Sequence, residues 1–91
     1  MTDKNLVDVV IKCLDNNGVK SRAGTLRPYG DDFDSQYERP TVSRGVDHVD
    51  ELISYAVQHN RDDYELVIVA VTPIATPCTI KFNIRYHWEK I

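Results

Sequence analysis

The chain has 91 residues, 27% of them charged, and a formal net charge of −3. That length makes one domain with a single core and little to spare. The charge balance excludes both the broad basic excess of a polyanion-binding surface and the strongly acidic surface of a nucleic-acid mimic. An apolar share of 42% excludes a disordered chain.

The opening Met1-Thr2-Asp3-Lys4-Asn5 lacks the basic start and apolar stretch of a secretion signal. No apolar run approaches the ~20 residues of a membrane span. Cys13 and Cys78 are the only cysteines, and without a signal they read as two reduced thiols, although spacing alone leaves a disulfide between them open. The expectation is a soluble, cytoplasmic protein without a membrane partner.

A first helix is predicted from Asp3 to Asn16. Thr2 or Asp3 offers a capping oxygen, Leu6, Val10, Cys13 and Leu14 follow helical spacing, and Val7 and Ile11 widen the stripe. Its β-branched residues weaken helix propensity, so packing must hold it. Asn16-Asn17-Gly18 then ends it with residues that tolerate left-handed dihedrals.

From Val19 to Leu26 the pattern reads as a weak edge strand with Gly24 at a bulge or bend. Arg27-Pro28-Tyr29-Gly30 reads as a turn, continued as a loop through Gln36. A second weak strand lies between Tyr37 and Val46, interrupted by Pro40 and Gly45. So long a polar loop in so small a domain is either mobile or functional.

The second helix runs from Asp47 to His59, with Asp47 as N-cap, Asp50 and Glu51 in the first turn, and Val49, Leu52, Ile53, Ala56 and Val57 as the core stripe. Leu66 to Val71 is apolar on both faces, as a doubly covered strand would be. Ile80 to Trp88 alternates strictly, with Ile80, Phe82, Ile84, Tyr86 and Trp88 on one face. Pro73 and Pro77 bracket the turn between them and are expected to stop both strands. The fold class is therefore α+β: one domain over residues 1–91, in the order α-β-β-α-β-β. Two helices pack on one face of an antiparallel sheet centred on the C-terminal hairpin.

Motifs for chemistry are sparse. Gly30-Asp31-Asp32-Phe33-Asp34 clusters carboxylates but lacks the spacing of a calcium loop. His48 and His59 stand eleven residues apart on one helix, too far to share an ion, and His87 reads as an exposed imidazole. The serines Ser21, Ser35, Ser43 and Ser54 have no nucleophile-elbow context. Glycines are too scattered to cradle a phosphate. The reading is of a protein that is not an enzyme, with no cofactor and no metal.

Two surfaces remain. In the central region Arg27, Tyr29, Phe33, Tyr37 and Arg39 combine the two residue types that most often anchor interfaces, which points to a protein partner. Lys20, Arg22, Arg44, Lys81 and Arg85 could add phosphate contacts for nucleic acid, but Asp31, Asp32, Asp34 and Glu38 nearly cancel the local positive charge. On the hairpin, one of the two apolar rows of the first strand must lie on the polar side of the sheet. If it is Val67, Val69 and Val71, either Lys and Arg stems cover it or another chain does, as in a homodimer. The functional expectation is a non-enzymatic protein-binding module. It would act as a small regulator or inhibitor by direct contact with a larger protein, a role common among small phage and mobile-element products. The alternatives are a nucleic-acid-binding domain and a structural subunit assembling through the hairpin.

Overall fold

The computed structural model of the chain describes residues 4–27, 37, 39–75 and 80–91. The elements are α1 (Lys4–Asn16), β1 (Ser21–Ala23), β2 (Val42–Val46), α2 (Val49–Gln58), β3 (Tyr64–Ala75) and β4 (Ile80–Lys90). The element order is the one expected. The strands form one four-stranded sheet in the order β1-β3-β4-β2, so the hairpin is central. The sheet is mixed rather than wholly antiparallel, because β1 runs parallel to β3 through Ser21↔Leu66 and Ala23↔Ile68. The two weak strands thus do not pair with each other. They guard opposite edges.

The end of α1 is built by local chemistry. Gly18 has φ +79, and the Val19 N–H reaches the Leu14 carbonyl while the Gly18 N–H reaches that of Asp15. This is the Schellman arrangement, in which a left-handed residue folds the chain back onto the last carbonyls. Val19 and Leu14, both buried, close it with an apolar contact. At α2 the N-cap is His48, not Asp47. Glu51 instead accepts the Asp47 N–H at 3.1 Å, satisfying an amide just outside the helix. The expected caps Thr2 and Asp3 lie outside the described residues.

Val7, Val10 and Leu14 of α1 and Leu52 and Ala56 of α2 pack with Leu66, Ile68, Val71, Ile84, Tyr86 and Trp88 of the hairpin in one core. Val57, expected in the stripe, is exposed. The hairpin ladder runs from Tyr64↔Lys90 to Ala75↔Ile80, with a bulge between Ile68 and Ala70. Pro73 does not stop β3 but pairs with Phe82 inside it. The reason is positional: β1 pairs only Leu66 to Ile68, so at Pro73 the strand has a free side where the missing N–H costs nothing. Pro77 lies outside the described residues.

The bulge breaks the valine row. A bulge inserts one residue and shifts the side-chain alternation, so Val71 pairs with Ile84 on the helix side while Val67 pairs with His87 on the opposite face. Val67 and Val71 are both 0% exposed and covered by their own chain. They do not form a shared surface, and Val69, at the bulge, is half-buried.

Val67 is sealed by the segment after β1. The Gly24 N–H continues the ladder to the Ile68 carbonyl at 3.2 Å. The chain then crosses from that edge to the other, where the Arg27 N–H donates to Thr41 Oγ1 at 2.8 Å. A Cβ on Gly24 would press on Val67 Cγ1 far inside 3.0 Å, so only glycine permits the strap to lie this close.

Candidate functional site

The strap creates a buried polar chain on the second face of the sheet. His87 is 3% exposed, not the surface imidazole its place on a polar-patterned strand suggested. Thr41 Oγ1 lies 2.8 Å from His87 Nδ1, and His87 Nε2 lies 3.2 Å from a Glu89 oxygen. A carboxylate can only accept, so the neutral imidazole carries its proton on Nε2 and takes the Thr41 hydroxyl proton at Nδ1. Arg22 completes the chain, donating from Nε to Glu65 and from Nη2 to Glu89, both at 2.6 Å. Burial lowers the His87 pKa, partly countered by its bond to Glu89. The Arg22 pKa is raised, chiefly by its bond to Glu65.

Hydroxyl, imidazole and carboxylate in sequence resemble a nucleophile with its base and orienting group. Here the Thr41 oxygen already accepts the Arg27 N–H, and the same strap segment lies against it. The imidazole bonds the carboxylate of Glu89, on its own strand, through Nε2 and the hydroxyl of Thr41, just before β2, through Nδ1. Arg22 ties Glu89 to Glu65 of β3. The arrangement works as a clasp holding β1, β3, β4 and the start of β2.

The expected contact residues divide sharply. Arg27 is a pin: its guanidinium bonds the Trp88 carbonyl, the Arg39 carbonyl at 2.9 Å and the Tyr37 carbonyl at 3.4 Å. Pro40, opposite this end of β4, has no N–H to extend the β2 ladder, and the arginine supplies the donor instead. Tyr37 is also internal. Its hydroxyl donates to the His59 carbonyl at 2.9 Å, and its ring lies 4.9 Å from Tyr64 and 5.6 Å from Trp88, with the Arg61 guanidinium 4.8 Å from its centroid. Arg39 is exposed. Tyr29, Phe33 and the carboxylate cluster of residues 30–34 lie outside the described residues, as does Cys78.

The proposed phosphate contacts are not brought together. Arg22 is engaged by two carboxylates on the strapped face. Lys81 lies 3.6 Å from Asp47. Lys20, just before β1, and Arg85, in the middle of β4, are exposed, and Arg44 lies over Tyr55 on the helix side. Among the described residues no three His, Cys, Asp or Glu groups converge as metal ligands, and no helix is long and apolar enough to cross a membrane.

What the sequence did not reveal is a groove. Between β2 and α2 runs an open cleft of about 740 Å³, lined by Arg44, Gly45, Asp50, Glu51, Ser54, Tyr55, Gln58 and His59. Its floor is Tyr55, whose hydroxyl accepts the Trp88 Nε1–H at 3.1 Å and whose ring lies 5.4 Å beneath the Arg44 guanidinium. Burial raises the Tyr55 pKa, so the phenol stays protonated. It lies between a short strand and the short helix that follows it in the chain, and no local pattern in the sequence links Arg44 to Tyr55. No protein-family model matches the chain, and neither the curated proteins nor the solved structures include a match.

Proposed function

We propose that this chain is a non-enzymatic protein-binding module that takes an extended segment of a partner along the edge of β2. The observation that carries this reading is the position of β2: the last strand of the sheet, with an open groove between it and α2. An edge strand presents backbone N–H and C=O groups to an incoming strand, while the neighbouring groove receives alternate side chains. Five residues of β2 offer about 17 Å of edge at ~3.4 Å per residue, enough for a segment of similar length. The opposite edge is poorer, since β1 has only three residues and the length of β3 beyond it carries the bulge and Pro73, which has no N–H to donate.

Mixed charge supports a protein partner over a polyanion. Asp50 and Glu51 line the groove beside Arg44, and carboxylates there would repel phosphates. Such a module regulates by occupancy, blocking or tethering the segment it holds. Selection from a random peptide library, followed by amide chemical-shift mapping, tests the reading. Selected peptides should perturb Ser43, Arg44, Gly45 and Tyr55. Failure to select any peptide, or perturbation centred on Arg85 and Lys81, overturns it.

A further inference from the structure

A second, narrower cavity of about 180 Å³ shares Tyr55 with the groove, and its other walls are Arg39, Pro40, Val42, Tyr86, His87 and Trp88. Small-molecule and cofactor sites run from about 300 to 1,000 Å³, so this one suits a single side chain. Its walls are mainly aromatic rings, proline and valine, which favour an apolar or aromatic insert.

The groove carries both signs of charge. Asp50 and Glu51, in the first turn of α2, line it together with Arg44. Arg44 lies over Tyr55, the residue the two cavities share, and Arg39 lines the narrow cavity. Both are exposed, and among the described residues neither guanidinium is ion-paired. Two unneutralised arginines beside an apolar hole favour a carboxylate near the inserted side chain. Residues two apart on a strand face the same way, so the carboxylate that meets Arg44 belongs two positions from the anchor.

We infer that the narrow cavity is the anchor subsite of the groove, and that its ligand is an extended peptide with one apolar or aromatic residue and an Asp or Glu two positions away. This rests on the strand-addition reading and specifies its ligand. The test selects peptides in parallel on the natural chain and on the double variant Arg39→Glu/Arg44→Glu. Binding of the natural chain's peptides is then measured for both proteins at low and high salt.

The expected result is enrichment of the apolar–any–acidic pattern on the natural chain, an affinity loss of about tenfold or more in the variant, and weakening with salt. Both arginines are exposed, so the variant should keep its melting temperature. Should it not fold, enrichment and salt dependence on the natural chain decide alone. Peptides that bind β2 without this pattern, or with no change on charge reversal, overturn the inference and leave strand addition standing. Selection of no peptide, or capture of single-stranded oligonucleotide by the same arginines instead, overturns both.

Discussion

Gly24→Ala probes the strap directly. Gly24 is not in the left-handed region, so alanine meets no backbone penalty there and would by itself stabilise by about 0.4–1 kcal/mol through the unfolded chain. Against that, its Cβ would overlap Val67 Cγ1 and stand 3.1 Å from Arg22 Nη1. Val67 is 0% exposed and has no space to yield, so the strap itself must lift. Overpacking of this kind costs about 1–3 kcal/mol, which leaves a net loss of about 0–2.6 kcal/mol after the unfolded-state gain. Urea unfolding followed by fluorescence of Trp88, the single tryptophan, gives the number.

The cause is checked by a second cut. Val67→Ala alone should cost about 2 kcal/mol for its lost methyl groups, yet it removes the atom Gly24→Ala would strike. In the double variant the clash is gone and only the unfolded-state gain remains, so the coupling should equal the overpacking cost of about 1–3 kcal/mol. A Gly24→Ala that stabilises, or strictly additive effects in the double variant, would refute the packing of the strap on Val67.

Four further outcomes follow from the same contacts. Arg27→Ala should destabilise by about 1–3 kcal/mol because it strips donors from partly buried carbonyls, and Arg27→Lys should not restore the loss since an ammonium lacks the planar fork; urea midpoints decide. Burial lowers the His87 pKa, so the unfolded state binds the proton more readily. Stability is then fully present above the ordinary histidine value of about 6.5 and declines as pH falls through the window beneath it. His87→Gln should flatten that slope in unfolding measured across pH. Ile84→Ala should cost about 2–5 kcal/mol at a fully buried site, whereas Phe82→Ala, at a half-buried one, should cost less in the same assay. Gly18→Ala, with open space around its Cβ but φ +79, should cost about 1 kcal/mol through backbone strain alone, read as a lower melting temperature.

The residues that announced themselves were those whose pattern is local. The strict alternation from Phe82 to Trp88, the α1 stripe with its glycine stop and the Leu52–Ala56 spacing on α2 each encode which side faces the core, and the structure places them so. Long-range features were hidden. Nothing in Ser21-Arg22-Ala23 tells that it pairs parallel to β3, because the partner is set by the crossover through β2 and α2. The bulge after Ile68 leaves no mark in a run of uniformly apolar residues, and it alone scatters Val67 and Val71 to opposite faces.

The site was less legible than the fold for the same reason. Arg27 and Tyr37 have the composition of interface anchors, but the identical chemistry, wide planar groups with directional donors, serves equally to pin backbone carbonyls inside a small domain. His87 looked exposed because the strand alternates, and only the strap over that face buries it. The groove arises from two elements close in sequence, yet the narrow cavity that shares its Tyr55 wall is closed by Trp88 and Tyr86 from the hairpin, which spacing cannot bring together.

The central claim is that β2 serves as an open edge for strand addition. Amide hydrogen exchange, with and without a selected peptide, addresses it at the backbone where the added ladder would form. The account predicts slowed exchange at amides of Val42 to Val46, with neighbouring changes along α2 near Tyr55. Unchanged β2 amides, with protection appearing instead on the hairpin around Asn83 and Arg85, would contradict it.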